Sequence, residues 1–154
     1  MKVLLAVDGS ANSNFAIEEV ARRPWPAETE VRVITTVETP AIMGIEPWAA
    51  TPAYFEQLDS SVKENARKVL DAAIKKLSDS AKQALKISGD VLDGSPTQKI
   101  VEEAEKWNAD LIVMGSRGLG AWNRLLLGSV SSGVVHHAQC SVEIVRVRES
   151  PNRS

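Results

Sequence analysis

Two short runs of uninterrupted apolar residues, Val3 to Val7 and Leu111 to Met114, constrain this chain more than any other feature. A strand with one wet face alternates apolar and polar side chains. A strand that is apolar at every position is buried on both faces, as in a parallel sheet covered by helices above and below. Each run stops at turn-forming residues, Asp8-Gly9-Ser10 after the first and Gly115-Ser116-Arg117-Gly118 after the second.

The rest of the chain supplies the helices such a sheet needs. Phe15, Ala16, Val20 and Ala21 recur at helical spacing, Ser10 stands where an N-cap is required, and Pro24 and Pro26 stop the helix after Arg22-Arg23. Val31, Val33, Ile34 and Val37 form a second strand. A 29-residue helix is predicted over Ala53 to Ala81, with Phe55, Leu58, Val62, Ala66, Val69, Ala73 and Leu77 on one core-facing stripe. Leu85, Ile87, Val91 and Leu92 mark a third strand. Ser95-Pro96 opens a helix through Ile100, Val101, Ala104 and Trp107. After the Leu111 strand come a helix from Ser129 to Ala138 and a last strand from Val142 to Val147. Five strands alternating with four helices imply an open, doubly wound parallel sheet with helices on both faces. Ligands in that architecture sit beyond the carboxyl ends of the strands, where the strand order reverses. If the first and fourth strands are neighbours at the reversal, the Asp8 turn and the glycine loop form one site.

Glu38 to Pro52 breaks the pattern: Pro40, Gly44, Pro47 and Pro52 interrupt a stretch that also holds Ile42, Met43, Ile45 and Trp48. Three readings stay open for it, a cover over a ligand, a contact for a partner, or a loop folded back on the core. A length of 154 residues suits one domain, here residues 1–148, with a polar tail over 149–154. The net charge of −2 and a pI of about 5.7 argue against a general affinity for nucleic acid or anionic membrane. No apolar run is long enough for a signal segment or membrane span, and Cys140 is the only cysteine, so a soluble protein of the reducing cytoplasm is expected.

The stretch from Leu111 to Ser132 has the layout of a phosphate cradle. Gly115, Gly118, Gly120 and Gly128 let main-chain N–H groups approach a ligand, and a helix starting at Ser129 would aim its positive end at an anion. Arg117 and Arg124 are candidates for screening phosphate charge, with no acid between Gly115 and Ser132. Gly115 to Gly120 has the spacing of a Walker A start, but Ala121-Trp122 replaces the Lys-Ser or Lys-Thr that the motif needs. Gly118-Leu119-Gly120 begins a dinucleotide fingerprint, but Asn123 stands at its third glycine and the loop follows the fourth strand. His136 and His137 point about 100° apart on a helix, which suits a solvated pair better than a shared metal. Cys140 reads as a small apolar filler.

The spacing Gly-x2-Gly-x9-Gly-Ser, at Gly115, Gly118, Gly128 and Ser129, resembles the ATP-binding signature of the universal stress protein family. The resemblance extends through KVLLAVDGS, GSPTQKIVEEAEKWNADLIVMGSRGLG and LLLGSVSSGVVHHAQCSVEIV. It implies a sheet in the order 3-2-1-4-5 and the ATP-binding branch of the family, with Mg²⁺ accompanying the nucleotide. It sets Asp8 against the ribose or adenine end, Val7 and Met114 around the base, Gly115 and Gly118 beside the ribose and phosphates, and Gly128, Ser129, Val130 and Ser131 around the phosphates. Gly9, Ser10, Val37 and Arg117 complete the candidate set. The expected function is a nucleotide-responsive regulatory module in the stress response, working as a homodimer that pairs through Val142 to Val147. Without a Walker lysine, ATP turnover is expected to be slow at most. Two other readings compete with this one. The first is an ATPase or nucleotidyl-transferring enzyme on the same scaffold, against which the turn Asp8-Gly9-Ser10-Ala11 lacks the histidine or Ser-Gly-Gly motif of adenylyl-transferring relatives. The second is an interaction protein that uses Glu38 to Pro52. Two departures bear on the dimer: Ser141 stands where proline is common, and Glu143 and Arg146 lie in the last strand.

Overall fold

The computed structural model describes residues 1–38, 52–118 and 127–146. Its centre is β1 (Lys2–Ala6), flanked on one side by β2 (Glu30–Val37) and β3 (Lys86–Asp93) and on the other by β4 (Leu111–Gly115) and β5 (Ser141–Val145). The five strands are parallel and ordered β3-β2-β1-β4-β5, so the order reverses between β1 and β4. Four helices, α1 (Ala11–Arg22), α2 (Pro52–Ser80), α3 (Pro96–Trp107) and α4 (Ser129–His137), complete the fold.

Because every residue of β1 from Val3 to Ala6 is buried, the strand feeds two cores at once. Val3 and Leu5 pack with Ile17 and Val20 of α1 and Leu70, Ala73 and Leu77 of α2. Leu4 and Ala6 pack with Ile100 and Ala104 of α3 and Val134 of α4. The uninterrupted apolar run therefore has the cause inferred from sequence, helices on both sides. Gly89 in β3 lets α2 come close, since a Cβ there would lie 2.5 Å from Ile74 Cδ1 and 3.1 Å from Leu70 Cδ1.

Several boundaries and faces differ from the sequence expectation. Val7 lies past the end of β1, although its N–H still donates to Ile34 O. The last strand ends at Val145, leaving Arg146 outside it. Val147 and the tail 149–154 lie outside the described residues, as do residues 39–51 of the proline-rich stretch. The apolar stripe of α2 is buried only from Ala66 onward, and Phe55 is exposed. On α1, Phe15 is exposed while Ser13 and Ile17 are buried, because the buried face is set by the sheet beneath it and not by the most apolar positions.

Glu143 is accounted for within the chain. Its carboxylate accepts two bonds from Arg23, at 2.7 and 2.6 Å, and Arg23 also donates to Glu19 and lies over the Trp25 ring. This forked pair ties β5 to the end of α1.

The first turn of α1 crosses the end of β4 at Gly115. A Cβ on that glycine would lie 2.7 Å from Asn12 C, 2.8 Å from Asn12 Cβ and 2.9 Å from Ser13 N, so helix and strand touch only because it has none. Gly115→Ala is expected to lower the free energy of unfolding by about 1–3 kcal/mol through this overpacking, measured by chemical denaturation. Leu70→Ala, in the α2 core, should cost about 2–5 kcal/mol in the same assay.

Candidate functional site

The chain leaves β1 through a turn fixed by Asp8. Its Oδ1 accepts from Ser10 N at 2.9 Å, and Gly9 between them has φ +78°, a conformation that favours glycine. Ser10 caps α1: its Oγ accepts from Ser13 N at 3.2 Å. Ser13 Oγ in turn donates to Ser10 O at 3.0 Å.

The loop after β4 leans against this turn. A Cβ on Gly118 would lie 2.7 Å from Asp8 Oδ2, so the glycine loop and the Asp8 turn form one wall, as their placement on neighbouring strands requires. Across from it stands the start of α4. Gly128 is the N-cap, it has no side chain to offer, and the first bond within the helix is Ser132 N to Gly128 O. Among the described residues no side chain caps the N–H groups of the first turn, at the end of the helix that carries its positive partial charge.

A cleft of about 550 Å³ opens between these elements. Ten of the residues singled out from sequence line it: Val7, Asp8, Met114, Gly115, Arg117, Gly118, Gly128, Ser129, Val130 and Ser131. Gly9, Ser10 and Val37 do not. Gly9 packs towards Val69 of α2, and Ser10 is taken up by the cap of α1. Val37 accepts from Gly94 N at 2.8 Å, so its main chain faces β3. Arg124 and Gly120 lie outside the described residues.

Sequence reasoning missed the far end of the cleft, lined by Ile34, Thr36, Pro96 and Ile100, and also missed Ser13. Strand alternation was the available signal for Thr36. The bond from Val7 N to Ile34 O fixes the main chain of Ile34 towards β1, so the N–H and C=O of Thr36, two residues on, point the same way. By then β1 has ended, and no strand partner meets them among the described residues. A donor and an acceptor thus stand side by side above an apolar floor.

The two histidines are exposed, each with Nδ1 within 2.7 Å of a carbonyl of its own helix, Ser132 O for His136 and Gly133 O for His137. Cys140 is half-buried against the α3 and α4 core, and burial pushes its thiol up from the ordinary value, away from the reactive thiolate. No helix among the described residues is long and apolar enough to cross a membrane.

The chain is 34% identical over 148 residues to Universal stress protein MJ0531 of Methanocaldococcus jannaschii, covering 94% of this chain and 81% of that protein. In fold it is similar to hypothetical protein MJ0577, with a TM-score of 0.80 at 26% identity over 97% of both chains. It shares its fold as well with a universal stress protein family protein from Arabidopsis thaliana solved with AMP bound, with a TM-score of 0.63 at 20% identity over 99% of this chain and 97% of that one. The model of the universal stress protein family matches residues 1–146, nearly the whole of the sequence, and the chain belongs to that family.

Proposed function

We propose that this protein binds ATP in the cleft beyond β1 and β4 and acts as a nucleotide-responsive regulatory module in the stress response. The observation that carries the reading is the uncapped first turn of α4 opening on the same cleft as the main-chain donor and acceptor of Thr36. An anion answers the first, and the second suits the edge of adenine, where an amino group donates beside a ring nitrogen that accepts. The volume falls in the range that holds a small ligand, about 300–1,000 Å³. That the Arabidopsis thaliana relative holds AMP supports an adenine nucleotide.

In this reading Ala6, Ile34, Ile100 and Met114 pack on the base, Asp8 accepts from a ribose hydroxyl, and the turn from Gly128 to Val130 donates to the phosphates. Asp8 is the one carboxylate on the described lining, so Mg²⁺ enters with the nucleotide and keeps most of its water. No lysine follows the glycine loop as in a Walker motif, and ATP turnover is slow at most.

The working unit is a single domain over residues 1–148, cytoplasmic, in a homodimer built through Val142 to Val147. Among the described residues no strand pairs with the outer edge of β5, which supports the pairing. Because Val145 O accepts from Ser116 N, Val145 faces β4, and the main chains of Val142 and Ile144 face outward. Glu143, held by Arg23, leaves that edge clear.

Small molecules released from the purified protein are expected to include an adenine nucleotide, and calorimetric titration should give saturable ATP binding that strengthens with Mg²⁺. No adenine nucleotide on release, together with no heat at millimolar ATP, would sink the proposal. Gly118→Val should displace the Asp8 carboxylate that its Cβ would meet and weaken ATP binding by at least about tenfold, with unchanged circular dichroism. Parental affinity in that variant removes Asp8 and Gly118 from the site.

A further inference from the structure

Three consecutive carbonyls at the end of β4 are each bonded to a different group. Gly115 O accepts from Ser131 Oγ at 3.0 Å, Ser116 O from Gly128 N at 2.9 Å, and Arg117 O from Ser10 Oγ at 3.4 Å. Two of these donors belong to the start of α4 and the third to the cap of α1. In a trans peptide the N–H points opposite to the preceding carbonyl, so fixing three carbonyls also fixes the amides of Ser116, Arg117 and Gly118. One of those amides is already used, since Ser116 N donates to Val145 O at 2.9 Å.

Ser131 is the side chain through which α4 grips the loop. It is 2% exposed, and a hydroxyl has a single proton to donate. A carbonyl can only accept, so that proton is committed to Gly115 O and is not available to a phosphate oxygen, which is itself an acceptor. We propose that Ser131 is a positioning residue: its hydroxyl clamps α4 to the end of β4 and sets the aim of the glycine-loop amides, without itself donating to the bound phosphates. The proposal rests on the nucleotide-binding reading for its consequence and on the geometry alone for the clamp.

The two roles separate in the empty protein. Removing a hydroxyl that serves only a phosphate leaves the nucleotide-free loop as it was, whereas removing a clamp loosens it before any ligand arrives. In Ser131→Ala the affinity for ATP should fall by about tenfold, as for the loss of one buried hydrogen bond. Ser131→Cys, a poor donor of similar size, should fall likewise while preserving the packing. Amide exchange provides a readout that needs no ligand. Gly128 N–H, bonded to Ser116 O beside the clamp, should exchange faster in both variants, while the amides of β1 exchange as in the parent. A Cys variant that binds like the parent, or unchanged exchange at Gly128 in the nucleotide-free variants, overturns the proposal. A parent chain that does not bind ATP overturns the ATP reading instead, and the exchange measurement then decides the clamp by itself.

Discussion

Everything at the carboxyl end of the sheet depends on one close approach, that of the first turn of α1 to the end of β4. The chain permits it at Gly115, where any side chain would drive into Asn12 and Ser13. With helix and strand in contact, the cap residue Ser10 comes within reach of Arg117 O, and Gly118 comes to rest beside the Asp8 carboxylate. The signature glycines thus do different work. Gly115 is demanded by packing between two elements of the fold, and Gly118 by a carboxylate. Gly128 has φ −63°, and among the described residues its Cβ would meet nothing nearer than 3.4 Å.

The architecture was legible in the sequence because it rests on strong, local signals. The apolar run at Val3 to Val7 dictates burial on two faces, Ser10 and Ser95-Pro96 mark helix starts, and the β-branched residues from Val31 to Val37 mark a strand. What was not legible depended on tertiary geometry. Phe15 and Phe55 look like core residues by hydropathy, but Phe15 lies on the outer face of α1 and Phe55 on the first turn of α2, ahead of its buried residues. Val37 and Thr36 are neighbours in one strand, and only the register against β1 and β3 tells which of them faces the cleft. Ser131 reads from sequence as a phosphate donor, and only the distance to Gly115 O shows where its proton goes.

Charges in the sheet follow the same rule. Glu143 in β5 and Arg32 in β2 look misplaced among apolar neighbours, and each is answered by a partner far away in sequence. Arg23 meets Glu143 with two bonds. Arg32 lies 2.9 Å from the buried carboxylate of Glu103 on α3 and over the ring of Trp107. A partly buried charge is tolerated where a partner is held in place for it, and here the partners are Arg23, just past the end of α1, and Glu103 on α3. The pairs therefore say little about ligands and much about which helix covers which strand.

The helix starts around the cleft sort its chemistry. At α1 the hydroxyl of Ser10 satisfies a first-turn N–H, and at α3 Pro96 removes one donor altogether. At α4 neither device is used: the cap is a glycine, and the nearest hydroxyl of known direction, on Ser131, is turned to the end of β4. Orphan donors at a helix start must find an acceptor in the chain, in water or in a ligand. No side chain among the described residues caps this turn, so the positive end of α4 stays directed at the cleft beyond the strand reversal between β1 and β4.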